Sequence, residues 1–252
     1  YRTLNNRVNE LLRGWVRRVV ANFMELQDIT LNDAQFCDEL GVILNSNDEY
    51  DAALRMFHRS LSIRVTELGA EHPDVADSHN HIGDVLSEKG DYDGALCEYQ
   101  KALAIAESMF GKDDPNTATT YNNIGSVFSK KGNYDSALAE YQKALNIRIS
   151  VLGTKHPDTA DTHNHIGLVY RAQGDYGRAL VEYRKALAIR ESVLGSRHPE
   201  VAVSYNNIGE ALRAKGEYDS ALMEHQKALA IRESVKGKDH SDTAMSYNNI
   251  AN

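Results

Sequence analysis

Tyr121-Asn-Asn-Ile-Gly125 is the stretch that decides the fold, because it returns. Forty-two residues upstream stands His79-Asn-His-Ile-Gly83, and the same step downstream gives His163-Asn-His-Ile-Gly167, then Tyr205-Asn-Asn-Ile-Gly209, then Tyr247-Asn-Asn-Ile-Ala251. One further step back lands on Leu40-Gly41, a more divergent copy. All four prolines, Pro73, Pro115, Pro157 and Pro199, share one phase of this period. A fixed period of this length marks an array of one supersecondary unit, each copy burying its apolar face against the next.

Each copy reads as two helices. From Thr117 to Lys130 the apolar positions Tyr121, Ile124, Val127 and Phe128 follow helical spacing, and Gly132 supplies the left-handed residue that ends a helix. A second helix is predicted from about Tyr134 to Val151, with Ala137, Leu138, Tyr141, Ala144, Leu145 and Ile147 as its apolar stripe. Gly153 closes it. His156-Pro157-Asp158 opens the next copy, since proline is tolerated in a first helical turn and not in an interior. Gly125, Ala137 and Ala144 are small where two helix backbones must approach closely.

These positions resemble the tetratricopeptide repeat, which places a large residue, Leu, Gly and Tyr in its first helix and Ala, Phe and Ala in its second. Tyr121, Ile124, Gly125, Phe128, Ala137, Tyr141 and Ala144 fall on those offsets, as do His163, Ile166, Gly167, Tyr170, Ala179, Tyr183 and Ala186. The long second helix with Lys-Ala-Leu-x-Ile-Arg (Lys143 to Arg148) and the Leu-Gly…His-Pro-Asp junction is similar to the kinesin light chain subfamily. The resemblance covers roughly residues 30–252 and implies an all-α, right-handed superhelical solenoid of antiparallel helix hairpins. It divides the chain into a capping helix over 1–29, units over 30–71, 72–113, 114–155, 156–197 and 198–239, and the first helix of a sixth unit over 240–252. It says less about function, because such repeats serve many unrelated systems.

The ends carry their own pattern. Leu4, Val8, Leu11, Leu12, Trp15, Val19, Phe23 and Leu26 form a helical stripe, and Trp15 falls in the frame of Phe57 and Tyr99. Residues 3–27 are therefore read as a divergent second helix acting as a cap, with the tail of a coiled coil as the other reading. Tyr247 and Ile250 have no second helix after them, as expected for a piece of a longer protein.

In the architecture that the resemblance implies, first helices line a concave groove. The central residues of each repeated word are candidates to face it: Asn80 and His81, Asn122 and Asn123, Asn164 and His165, Asn206 and Asn207, Asn248 and Asn249. An asparagine amide carries donor and acceptor together and pairs with any peptide main chain. Repeats at about 10 Å, the diameter of a helix, match roughly three residues of extended peptide. Kinesin light chains carry a similar Asn-Asn pair, and their groove takes short linear motifs. The same amides also suit hydrogen bonds between neighbouring helices. Asp77, Asp84, Glu88, Ser126, Asp161 and Glu210 lie one or two turns away, and Lys130, Arg171 and Arg213 form a basic row that would orient acidic residues of a ligand. The chaperone-binding subset of this fold needs a Lys and an Arg where this chain holds Thr119 and Asn123, Asp161 and His165, or Val203 and Asn207. That subtype is excluded.

Composition narrows the rest. The formal charge is −8, and residues 1–30 hold five Arg against three acids, so the remainder carries −10. Such a body repels nucleic acid and anionic lipid. Trp15 to Met24 is interrupted by Arg17 and Arg18 and cannot span a bilayer. Cys37 and Cys97 lie far apart in a chain without an Asn-x-Ser/Thr sequon, which points to two buried thiols in a reducing compartment and a cytoplasmic location. The His-x-His pairs, His79/His81 and His163/His165, point to different helix faces and lack a third ligand, so no metal is expected. His79 and His163 stand where other copies have Tyr, as packed rings. No phosphate-binding glycine loop or nucleophile elbow is present, so neither a cofactor nor catalysis is expected. The expected function is a protein-interaction scaffold binding an extended peptide. The alternatives are a regulatory or sensor arm of a larger signalling protein, or a module that self-associates through its ends.

Overall fold

The computed structural model of the chain describes residues 33–251. The helix expected over residues 3–27 lies outside that range. Every regular element among the described residues is an α-helix, and the chain divides into two compact units between Met109 and Phe110.

The first unit contains α1 (Ala34–Ser46), α2 (Tyr50–Leu68), α3 (Pro73–Lys89) and α4 (Tyr92–Phe110). Its core joins Leu44 of α1, Ala53, Met56 and Phe57 of α2, and Ile82 and Val85 of α3. A second cluster joins Val75 and Ala76 to Ala102 and Ile105 of α4.

The second unit contains α5 (Pro115–Lys130), α6 (Tyr134–Val151), α7 (Pro157–Ala172), α8 (Tyr176–Leu194), α9 (Pro199–Ala214), α10 (Tyr218–Lys236) and α11 (Ser241–Ala251). Tyr141 and Leu145 of α6 pack on Ile166 and Val169 of α7, and Tyr183 of α8 packs on Ile208 and Ala211 of α9. Each second helix therefore shares its core with the hairpin that follows it, which makes the hairpins a stack.

Helix ends explain the repeated punctuation. The His-Pro junction is an N-cap: the backbone N–H groups of Asp74, Asp158 and Glu200 each donate at 3.2 Å to Nδ1 of His72, His156 and His198. Asp114 takes that place before α5, its Oδ1 accepting from the N–H of Asn116 at 2.8 Å. An acceptor at this position satisfies a backbone donor that the first turn leaves unpaired. At the turn inside the hairpin, Gly132 has φ 76°, and the N–H of Asn133 donates back to the carbonyl of Phe128 at 2.9 Å. That is a Schellman closure, which needs the left-handed residue.

The glycines of the repeated word do more than let backbones approach. A Cβ on Gly125 would lie 2.9 Å from Cδ1 of Tyr141, and one on Gly167 would lie 2.6 Å from Cε1 of Tyr183. The aromatic ring of the second helix lies directly on the glycine of the first.

Candidate peptide-binding face

Within the second unit, α5, α7, α9 and α11 carry the second-unit positions named above: Asn122, Asn123 and Lys130 on α5, Asn164, His165 and Arg171 on α7, Asn206, Asn207 and Arg213 on α9. The first asparagine of each word reaches the second position of the next. Nδ1 of His165 lies 3.1 Å from Oδ1 of Asn122, Nδ2 of Asn207 donates to Oδ1 of Asn164 at 2.8 Å, and Nδ2 of Asn249 donates to Oδ1 of Asn206 at 2.7 Å. Asn122 and Asn164 are each only 8 % exposed, whereas Asn123, His165, Asn206 and Asn207 are half-buried. The repeated amides thus form a lateral ladder binding one hairpin to the next.

The corresponding positions of the first unit approach without a hydrogen bond, Asp38 pairing instead with Arg64 at 2.6 Å. Asn80 and His81 lie on α3, half-buried, and Nδ1 of His81 is 4.0 Å from Oδ1 of Asp38 on α1. Asp38 occupies the frame of the first asparagine. The ring of His81 is tilted over Phe57 at 5.0 Å, and that of His165 stacks on Tyr141 at 5.5 Å. Burial pushes the pKa of His165 down, against the pull of Asp161. With Nδ1–H donated to Asn122, the neutral ring presents Nε2 as an acceptor.

Beneath the ladder runs a layer of arginines that the sequence displays only as a family mark. Nη1 of Arg148 donates to the carbonyl of Asp158 at 2.9 Å and to Oγ1 of Thr162 at 2.7 Å, and its Nη2 reaches Oγ1 of Thr119 at 3.4 Å. Nη1 of Arg190 meets the carbonyl of Glu200 and Oγ of Ser204, at 3.2 and 2.9 Å, while its Nη2 bonds Oδ1 of Asp161 at 2.7 Å. Arg64 and Arg232 repeat the first pair of bonds, to Asp74 and Ser78 and to Asp242 and Ser246. Each of these arginines staples a second helix to the first turn of the next hairpin, with the planar fork that lysine lacks. The signal in the sequence was an Arg with a Ser or Thr fourteen residues later.

The charged candidates divide accordingly. Asp161 is engaged by Arg190, and Glu210 binds Arg213 at 3.0 Å, which offsets the charge that Arg213 offers a ligand. Asp84 accepts the Tyr99 hydroxyl at 2.6 Å, and Ser126 is hydrogen-bonded with Tyr141, whose pKa burial raises to about 12. Lys130 is exposed and Arg171 half-buried. Arg171 lies close enough to Tyr183 to lower its phenol pKa against burial, which still holds it at about 12.

The histidine pairs separate, as two residues two apart on a helix must. His163 turns to α8, its Nδ1 2.6 Å from Oε2 of Glu182, and His79 turns to α4, 2.7 Å from Oε2 of Glu98. They are hydrogen-bonded rings rather than simply packed ones. Among the described residues no group of three or more His, Cys, Asp or Glu is placed to hold a metal ion, and no helix is long and apolar enough to cross a membrane.

Comparison with known proteins accords with the fold. No curated protein matches the chain. Among solved structures, BtubC (BKLC) from P. vanneervenii is 23 % identical, with a TM-score of 0.70 over 91 % of this chain and 92 % of that one. A Podospora anserina putative kinesin light chain with nearly identical TPR-like repeats is 19 % identical, with a TM-score of 0.64 over 80 % of this chain and 96 % of the other. The Rap conjugation gene regulator of plasmid pLS20, solved in complex with the Phr* peptide, is 17 % identical, with a TM-score of 0.69 over 85 % of this chain and 56 % of that protein. At such identities the likeness is one of fold, an array of consecutive helix hairpins. The tetratricopeptide-repeat profile matches residues 36–108, 98–149, 116–192, 158–234 and 200–252, and on that match the chain belongs to the tetratricopeptide-repeat family.

Proposed function

We propose that this chain is a protein-interaction scaffold whose first-helix face in the second unit receives a short extended segment of a partner protein. The observation that carries the reading is the amide ladder. Oδ1 of Asn122, Asn164 and Asn206 is bound to the following hairpin, so each amide plane is held in the same way from rung to rung. Amides held at about 10 Å intervals, one helix diameter, meet an extended peptide roughly every third residue. Asn123, His165 and Asn207 supply the half-buried polar groups, and Lys130 and Arg171, with Arg213 partly offset by Glu210, bias the face toward acidic side chains. A pLS20 regulator of this fold has been solved with a peptide bound.

The test is selection of ligands from a displayed library of random linear peptides, followed by titration against a Lys130→Ala, Arg171→Ala, Arg213→Ala triple variant. These positions leave the ladder intact. The reading expects extended, acid-containing peptides whose affinity falls at least about tenfold in the variant, about 1.4 kcal/mol. Peptides that bind both proteins equally would move the site off this face.

A further inference from the structure

We propose that His225 is a proton-operated catch of the hairpin formed by α9 and α10, completing the hairpin core when neutral and loosening it when protonated. Position 225 is the aromatic place of the second helix, held elsewhere by Phe57, Tyr99, Tyr141 and Tyr183. His225 lies against Gly209 as those rings lie against their glycines: a Cβ there would meet its Cε1 at 2.7 Å. The residue is 2 % exposed, and neither Nδ1 nor Nε2 has a hydrogen-bond partner. A neutral ring leaves one donor and one acceptor unmet, whereas an imidazolium leaves two donors unmet and needs a counter-charge.

The surroundings do not supply that counter-charge freely. From α9, Oε1 of Glu210 is 3.9 Å from Nε2, but the same carboxylate holds Arg213 at 3.0 Å. On α10 itself, Glu224 is bound to Lys227 at 2.9 Å, and Arg232 is a cation. Arg213 and Arg232 both act on the ring as cations and oppose a charge there. Each carboxylate near the ring already has a cation. Burial pushes the ring's pKa below its ordinary value, and Glu210 offsets this only in part.

The sign follows from linkage. A histidine held neutral costs nothing above the unfolded pKa, about 6.5. As pH falls below that value the unfolded chain takes the proton first, and hairpin stability drops until the folded ring titrates too. Because α9 also carries Asn206 and Asn207, acid would loosen one rung of the peptide-binding face. That consequence rests on the proposed function; the catch itself does not.

The test is residue-resolved hydrogen exchange of the full chain between about pH 7.5 and 5.5, corrected for intrinsic exchange, with His225→Tyr and His225→Phe beside it. Tyrosine fits the site as Tyr99 fits over Gly83, with Glu210 in the place of Asp84 to accept its hydroxyl. Phenylalanine fits as Phe57 does over Gly41. In the wild type, protection of α9 and α10 should fall by up to about tenfold per pH unit below 6.5. Whichever variant folds should lose that dependence. A wild type whose α9 and α10 are indifferent to pH, or a variant with the same acid response, would overturn the proposal. Loss of peptide binding in acid without loss of protection would also overturn it, leaving the peptide site itself intact.

Discussion

Nδ2 of Asn207 donates to Oδ1 of Asn164 at 2.8 Å, joining α9 to α7 across 43 residues of chain. The bond uses the first amide of one word and the second of the next, so a repeated pair that looks redundant along one helix is complementary between two. Asn164→Ala should cost about 1 kcal/mol, the net worth of a hydrogen bond whose other partner, half-buried, regains water. The same change in an Asn207→Ala background should cost less, and a double-mutant cycle by chemical denaturation measures the difference. Strict additivity would mean that the ladder does not couple the hairpins.

Arg190 is 4 % exposed and bonds to the Glu200 carbonyl, Ser204 and Asp161, three groups on two first helices. Replacing it with Met should destabilise by about 2–3 kcal/mol, since several charge-assisted bonds go while Asp161 keeps access to solvent. Lysine should not restore the loss, because its single ammonium cannot reach α7 and α9 together. Denaturant midpoints of Arg190→Met and Arg190→Lys give the comparison, and a lysine variant equal to wild type would reduce the staple to a point charge.

Tyr183 is fully buried over Gly167, among Ala179, Leu180, Ile208 and Ala211. Its ring has nowhere to retreat. Gly167→Ala should therefore cost about 1–3 kcal/mol through overpacking, and Gly167→Leu should open the α7–α8 hairpin outright. Tyr183→Met should relieve part of the alanine clash. A Gly167→Leu protein that keeps a single cooperative melt near the wild-type midpoint would contradict this packing.

Burial pushes the Glu182 carboxyl up, but hydrogen bonds from His163 and Lys185 outweigh it and hold its pKa below the ordinary value. A depressed carboxylate stabilises the fold above its unfolded pKa, about 4.3, and the contribution disappears as pH falls through the folded value. The advantage of wild type over Glu182→Gln should be full at about pH 6 and vanish toward pH 3. Thermal melts across that range decide it; a difference that persists unchanged at pH 3 would rule out the carboxylate as its source.

Much of this molecule is local and therefore readable. A 42-residue period, prolines in one phase and glycines after each apolar run placed the hairpins, because caps and helix stops depend on the few residues that form them. The ends predicted for α6, Tyr134 and Val151, are those observed. The function of the His-Pro junction was also local, yet went unread: the imidazole accepts from an N–H only two residues on, and histidine is not among the usual capping residues.

What the chain's order alone determined was the unit and its two helices. Only the tertiary structure decided which of two adjacent amides turns to its neighbour, that Arg148 and Arg190 tie three helices at once, and that His225 is sealed without a hydrogen-bond partner. Those relationships span 14, 29 or 43 residues. A repeat pattern shows that such positions recur, but the direction of a side chain between stacked hairpins is set by packing, where burial and the supply of donors and acceptors leave one arrangement satisfied.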